Sequence, residues 1–151
     1  GLNLGISQNI TAANIENIGK GIFINKKLER SNAADWIEKV NIKASDSNAI
    51  VNTLSGGNQQ KVVIARWLEC ASTIFLLGDP MRGVDIGAKA ETFEIIQKLC
   101  SNGAGIILIS SDVKEVVTYS DRVIVLKNGE IVGRFDSHST TTQELLHLAA
   151  L

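Results

Sequence analysis

The segment Leu54-Ser55-Gly56-Gly57-Asn58-Gln59-Gln60-Lys61 holds the densest chemistry in this chain. Ser55 is a favoured N-cap type directly before a helical stretch, and its side-chain oxygen suits the first free amides of that helix. Gly56 and Gly57 carry no Cβ, so a ligand approaches their backbone closely. Unpaired amides and the helix dipole together favour an anion at such an end. An ordinary capped helix has the same features, so Ser-Gly-Gly alone does not decide between a site and a cap. The other common phosphate cradle, G-x-x-x-x-G-K-[ST], is absent from the sequence. Its nearest approach is Gly19-Lys20, with Asn14 and Gly21 at positions that the loop gives to glycine and a hydroxyl residue. His138 and His147 lack a carboxylate or cysteine at ligand spacing and read as solvated or packed side chains. Cys70 and Cys100 form no metal or redox pair and read as neutral thiols. Trp36 and Trp67 lie on apolar helix faces and read as core residues. Lys26, Lys27, Glu29 and Arg30 read as a solvated helix face.

The elements that must position these residues show two textures. Up to about Val51 the chain is rich in Asn, Lys, Ile and Ala, without a strong β run. Leu28, Ala33, Trp36, Ile37 and Val40 recur at helical spacing, which predicts an amphipathic helix over 26–40. From Leu54 onward helices and strands alternate. Val62, Ala65 and Leu68 predict a helix over 58–70. The apolar run Thr73-Ile74-Phe75-Leu76-Leu77 predicts a strand buried on both faces. A helix over 86–100 follows, stopped by Asn102-Gly103. A second buried strand over 106–109 and a short helix over 112–118 come next. Two β runs within 122–135 flank Asn128-Gly129, a strong hairpin turn signal, and 144–150 forms a terminal helix. This order predicts an α/β core with parallel strands. The 151 residues suit one domain or a large piece of one. With 44% apolar and 21% charged residues the balance is that of a globular domain, and a net charge of −1 argues against an electrostatic nucleic-acid binder. No apolar run approaches the roughly 20 residues that a membrane span needs. Gly1-Leu2-Asn3-Leu4-Gly5 lacks the basic start of a secretory leader. Without an initiator Met or a phosphate loop, the chain reads as a segment of a longer protein.

The segment 54–61 resembles the signature motif of ABC ATPases, in the Asn-Gln-Gln-Lys form typical of monosaccharide (ribose, galactose and xylose) importers. Other segments follow in the expected order and spacing. Ile74-Phe75-Leu76-Leu77-Gly78-Asp79-Pro80 resembles the Walker B strand, and Arg82-Gly83-Val84-Asp85-Ile86-Gly87-Ala88-Lys89 resembles the D-loop. Ile109-Ser110-Ser111-Asp112 lies at the switch-histidine loop, and Ser120 to Ile131 resembles the closing hairpin. The resemblance is specific from Leu54 to Ile131 and looser over the first fifty residues. It implies a partial P-loop NTPase core of ABC type: a helical subdomain over 1–53, then the signature helix and second half of the ATPase core over 54–151.

The resemblance also assigns roles. Ser55, Gly56, Gly57, Asn58 and Gln59 are implied nucleotide-binding residues acting in trans, on ATP held by the P-loop of a partner domain. Asp85 is the D-loop residue. Family members usually read Asp-Glu-Pro where this chain reads Gly78-Asp79-Pro80. Gly78 thus replaces the aspartate that supports Mg2+, and Asp79 stands at the catalytic glutamate, one methylene shorter. In an alternative register Asp79 drops back to serve the metal. Ser111 stands at the switch histidine, and Ser110-Ser111-Asp112 suits the C-terminal of two fused nucleotide domains. The implied partners are the N-terminal nucleotide domain of the same polypeptide, transmembrane permease subunits and, indirectly, a periplasmic sugar-binding protein. That places the chain peripherally on the cytoplasmic face of a bacterial inner membrane. The tail Thr140 to Leu146 is slightly similar to galactose-type members. A reading from another class is a docking or regulatory module that has lost nucleotide chemistry.

Overall fold

Short elements open the chain: α1 (Ile6–Thr11), α2 (Ile15–Ile18), and the antiparallel strands β1 (Gly19–Lys20) and β2 (Phe23–Ile24). The computed structural model describes residues 1–20 and 23–150, the side chains of Lys20 and Ala150 excepted; Gly21, at the end of the nearest approach to a phosphate loop, lies outside them. Asn25 then starts α3 (Lys26–Lys39), its side chain accepting from the amides of Lys27 and Leu28. Ser55 caps α4 (Gly56–Glu69) by accepting from the amide of Asn58. The strand β3 (Ile74–Gly78) leads to α5 (Ile86–Ser101), which Asp85 caps through the amide of Ala88. Gly103 at φ 91° lets the chain leave α5 and enter β4 (Gly105–Ile109). The remaining elements are α6 (Val113–Tyr119), β5 (Arg122–Lys127), β6 (Glu130–Asp136) and α7 (Thr142–Ala150).

β3 and β4 lie side by side. The amide of Gly105 bonds the carbonyl of Thr73 and that of Asp79 bonds Ile109, so both chains advance in the same direction. β5 and β6 form the expected hairpin, with Asn128 at φ 49° and Gly129 at φ 83°. Two left-handed residues in succession are what an Asn-Gly turn needs to match strand twist.

The chain divides into two compact units, one of residues 1–74 and 81–105, the other of residues 75–80 and 106–151. The first is built around Ile6, Ile10, Ala33, Val40, Ile42, Val51, Val62 and Ala65, with Trp36 and Leu68 packed against them. The helical period placed Ala33, Val62 and Ala65 correctly. Glu29 departs from the expectation of a solvated face: it is buried, with its carboxylate 2.9 Å from Lys26 Nζ. Trp67 departs in the other direction. It is 49% exposed because α4 turns Val62 and Ala65 inward and leaves Val63 and Trp67, one turn apart, outside. The second unit packs Val113, Val116, Val117 and Leu148 on Val123, Val125 and Leu145.

The strands are not buried on both faces as the apolar runs suggested. Phe75 is buried, whereas Ile74 and Leu76 are 71% and 69% exposed, and Ile107 and Ile109 are exposed too. Successive strand side chains point to opposite faces, and one face of β3 and β4 stays open among the described residues. No helix among them is long and apolar enough to cross a membrane.

Truncating Ile10, fully buried in the first unit's core, should destabilise that unit by about 2–5 kcal/mol. Ile124→Ala, on the exposed side of β5, should stay within about 0.5 kcal/mol. Urea unfolding followed by circular dichroism checks both, and equal effects would contradict this division of the core.

Candidate functional site

The start of α4 is built from its own sequence outward. Ser55 sits in an extended conformation, as an N-cap must, and its Oγ accepts from the Asn58 amide at 3.4 Å and from Asn58 Nδ2 at 2.9 Å. Asn58 Oδ1 accepts from the backbone amide of Lys43 at 2.8 Å, and Gln59 Nε2 donates to the carbonyl of Leu54 at 2.9 Å. The side chains of Asn58 and Gln59, two of the five implied nucleotide-binding residues, are therefore bonded within the chain. Helix geometry leaves the amides of Gly56 and Gly57 without intrahelical acceptors. The donors offered at this end are those two amides and the Ser55 hydroxyl.

Gly57 is buried, and a Cβ added to it would lie 2.4 Å from the Cβ of Ala88. The requirement for glycine thus already exists inside the chain, where α4 and α5 approach. One turn further along α4, Lys61 is only 3% exposed and reaches the carbonyl of Asn41 at 2.9 Å and the carboxylate of Glu91 at 2.5 Å. Sequence reading missed this ion pair, because 30 positions separate its members and no local pattern announces it. The Lys61 hydrogen bond and charge hold the Glu91 carboxyl below the usual carboxylate range, burial opposes them, and Lys43 and Asp85 add smaller effects of opposite sign. Ser55, Gly57, Asn58, Lys61, Asp85 and Glu91 all border a cavity of about 260 Å³. The site therefore joins the signature-like segment to the loop that begins α5.

A second cluster lies in the other unit. Asp79 adopts φ 41°, a left-handed conformation that Asp tolerates better than most residues. Its Oδ1 accepts from the amide of Ser111 at 2.8 Å and from Ser111 Oγ at 3.0 Å. The structure thus brings Asp79 and Ser111, the residues expected at the catalytic and switch positions, into direct contact. A Cβ at Gly78 would meet nothing within 4 Å. Among the described residues no three His, Cys, Asp or Glu side chains converge on a metal position. Next to Ser111, Ser110 Oγ donates to Glu115 and accepts from the Asp112 amide, while Asp112 caps α6 through Lys114. His138 and His147 are exposed. Cys70 and Cys100 are free thiols.

With this geometry in place, comparison with known proteins is informative. The family model described as ABC transporter matches residues 4–82. The chain is 39% identical to a ribose import ATP-binding protein of Bacillus cereus over 148 residues, covering 98% of this chain and 30% of that protein. It is 40% identical to a xylose import ATP-binding protein of Geobacillus kaustophilus, covering 98% and 29%. The chain thus spans about 30% of the length of these curated relatives. A solved dimeric ATP-binding cassette bound to ADP and phosphate superposes with a TM-score of 0.73 at 22% identity, over 91% of this chain and 58% of the other; this likeness concerns the fold.

Two outcomes follow from the contact between α4 and α5. Gly57→Ala should destabilise the first unit by about 1–3 kcal/mol through overpacking on Ala88. Adding Ala88→Gly should recover part of that loss although a helical glycine itself costs about 1 kcal/mol. A double-mutant cycle by urea unfolding reads the coupling, and simple additivity would contradict the contact.

The second concerns pH. The carboxyl of Glu91 is depressed in the folded state, so the pair's contribution is present above the unfolded carboxyl's pKa and is lost as pH falls through the folded value. Lys61→Met should flatten the acid limb of stability against pH; an unchanged limb would remove the pair from that role.

Proposed function

The chain belongs to the ABC transporter family, and from that premise we propose that it is part of the ATPase subunit of a monosaccharide importer, supplying the signature end of α4 to ATP held by a partner domain. The observation that carries this reading is the start of α4: a capped helix end whose free donors are the Ser55 hydroxyl and the amides of Gly56 and Gly57. Phosphate oxygens only accept hydrogen bonds, so such an end matches a γ-phosphate in donor count and dipole sign. The phosphate loop that grips the same ATP belongs, in this proposal, to the N-terminal nucleotide domain of the same polypeptide. The segment 1–53 is read as part of the helical subdomain, and 54–151 as the signature helix with the second half of the core. Permease subunits, fed by a periplasmic sugar-binding protein, couple hydrolysis to import, which puts the assembly on the cytoplasmic face of the membrane. The ribose and xylose importers among the relatives support a sugar cargo.

The site to which Gly78, Asp79 and Ser111 would contribute is read as degenerate. Gly78 offers no side-chain oxygen for the water shell of Mg2+, so the residues present do not fit that ion and none is assigned to it. Asp79 keeps a carboxylate at the catalytic position, but two donors from Ser111 already occupy one of its oxygens. The same bonds favour a second reading, in which this part of the chain is a docking or regulatory module and the Asp79–Ser111 contact is architectural. D-loop Asp85 caps α5 and is assigned the same structural task in either reading.

The test uses the assembled transporter at saturating Mg-ATP. Ser55→Ala should lower sugar-stimulated turnover by about 10²–10³-fold if its hydroxyl donates to developing charge. Restoring Gly78→Asp and Asp79→Glu together should change turnover less than about tenfold, because Ser111 still leaves that site without a histidine and geometry limits what the carboxylate alone can do. A large gain from the double restoration, with Ser55→Ala tolerated, would reverse the assignment of the two sites.

A further inference from the structure

The hydrogen bonds around Asn58 settle which way the hydroxyl of Ser55 points. A backbone amide can only donate, so the Lys43 N–H fixes Oδ1 of Asn58 on its side, 2.8 Å away. The NH2 end must then face Ser55, 2.9 Å from Oγ. Oγ has two lone pairs, and the amide group and backbone amide of Asn58 approach it from the protein side. Its proton has no acceptor left in that direction and is directed to the exposed side. We propose that Asn58 is a positioning residue that makes the Ser55 hydroxyl an obligate outward donor, suited to a phosphoryl oxygen, while anchoring the loop around Lys43 to the start of α4. The inference rests on the reading of Ser55 given above and changes the role of Asn58 from nucleotide ligand to orienter of one. A free hydroxyl chooses between donating and accepting; this one has the choice removed before the ligand arrives, so none of its orientation is lost on binding.

Two replacements of Asn58 tell its bonds apart. Asn58→Ala removes both. Asn58→Asp keeps an acceptor for the Lys43 amide, but its second oxygen takes the Ser55 proton and turns the hydroxyl inward. In the assembled transporter at saturating Mg-ATP, Asn58→Ala should lower kcat by about tenfold, the size of one oriented hydrogen bond, with little change in the KM for ATP. The same change in a Ser55→Ala background should do nothing further, because Asn58 acts through that hydroxyl. Asn58→Asp should fall to the Ser55→Ala level. Losses that multiply in the double variant, a raised KM at unchanged kcat, or wild-type turnover in Asn58→Asp would each overturn the proposal. Amide exchange in the 151-residue chain supplies the structural arm. The Lys43 N–H should exchange about tenfold faster in Asn58→Ala and stay protected in Asn58→Asp, while the β5–β6 hairpin is unchanged. If Ser55→Ala alone leaves turnover intact, the phosphate-facing reading of Ser55 fails. The Asn58–Ser55 bond is then judged by the side-chain amide of Asn58, whose exchange should quicken in Ser55→Ala; no change there overturns the orienting role itself.

Discussion

The close approach of α4 and α5 is the constraint on which the signature segment depends. Where Gly57 faces Ala88, the two helices leave no room for a single added carbon. Such proximity would drift if nothing else held it, since small residues permit contact without enforcing it. Enforcement comes one turn further along. Lys61, almost fully buried, is tied to Glu91 on α5 and to the carbonyl of Asn41. A buried ammonium left without its carboxylate is strongly destabilising, so this pair is more a demand for one geometry than a source of stability. The glycine sets how near the helices come, and the ion pair sets where along their length.

The same economy extends to the loop between α3 and the signature. Asn41 adopts φ 53°, which Asn tolerates, and thereby offers its carbonyl to Lys61. Two residues later the Lys43 amide is taken by Asn58. The loop sends Ile42 into the first unit's core and is held as well by two side chains of α4, Asn58 in its first turn and Lys61 in the next. The backbone donors and acceptors that a loop must satisfy are used here to carry the position of α3 into the capped end of α4. Ser55 is the point where these restraints meet, and in the proposed arrangement they turn its hydroxyl outward.

Much of this was legible in the sequence. The cap at Ser55, the turn at Asn128-Gly129 and the stop at Gly103 each follow from local chemistry, and the structure places them as read, whereas the cap that Asp85 gives to α5 is seen only in the structure. Helical periods found Ala33, Val62 and Ala65. What local patterns could not reveal were relations between distant segments. Glu29 is buried because Lys26 covers its charge within one helical turn, yet the same spacing occurs on solvated faces. The indole of Trp36 is held inside by Glu69, which also accepts from Asn32, whereas Trp67 stays half exposed. The apolar runs at 74–77 and 106–109 marked strands correctly but overstated their burial, since composition records the apolar character of a face and not the layer that covers it. The family resemblance, carried by motif order from Leu54 to Ile131, was the strongest signal of all and identified the family.

Asp79 and Ser111 are one structural fact rather than two. Asp79 occupies a left-handed backbone conformation in which short polar side chains are favoured because they reach nearby backbone donors. Its carboxylate does so, accepting from the amide of Ser111 at the end of β4, while its own amide bonds the carbonyl of Ile109. A carboxylate one methylene longer would overshoot that amide or force the backbone to move. The Ser111 hydroxyl, on a short side chain, bonds the same oxygen that the Ser111 amide holds. The short acid and the short alcohol therefore fit each other across the ends of two neighbouring strands. A replacement at either position alone would break this fit from one side only.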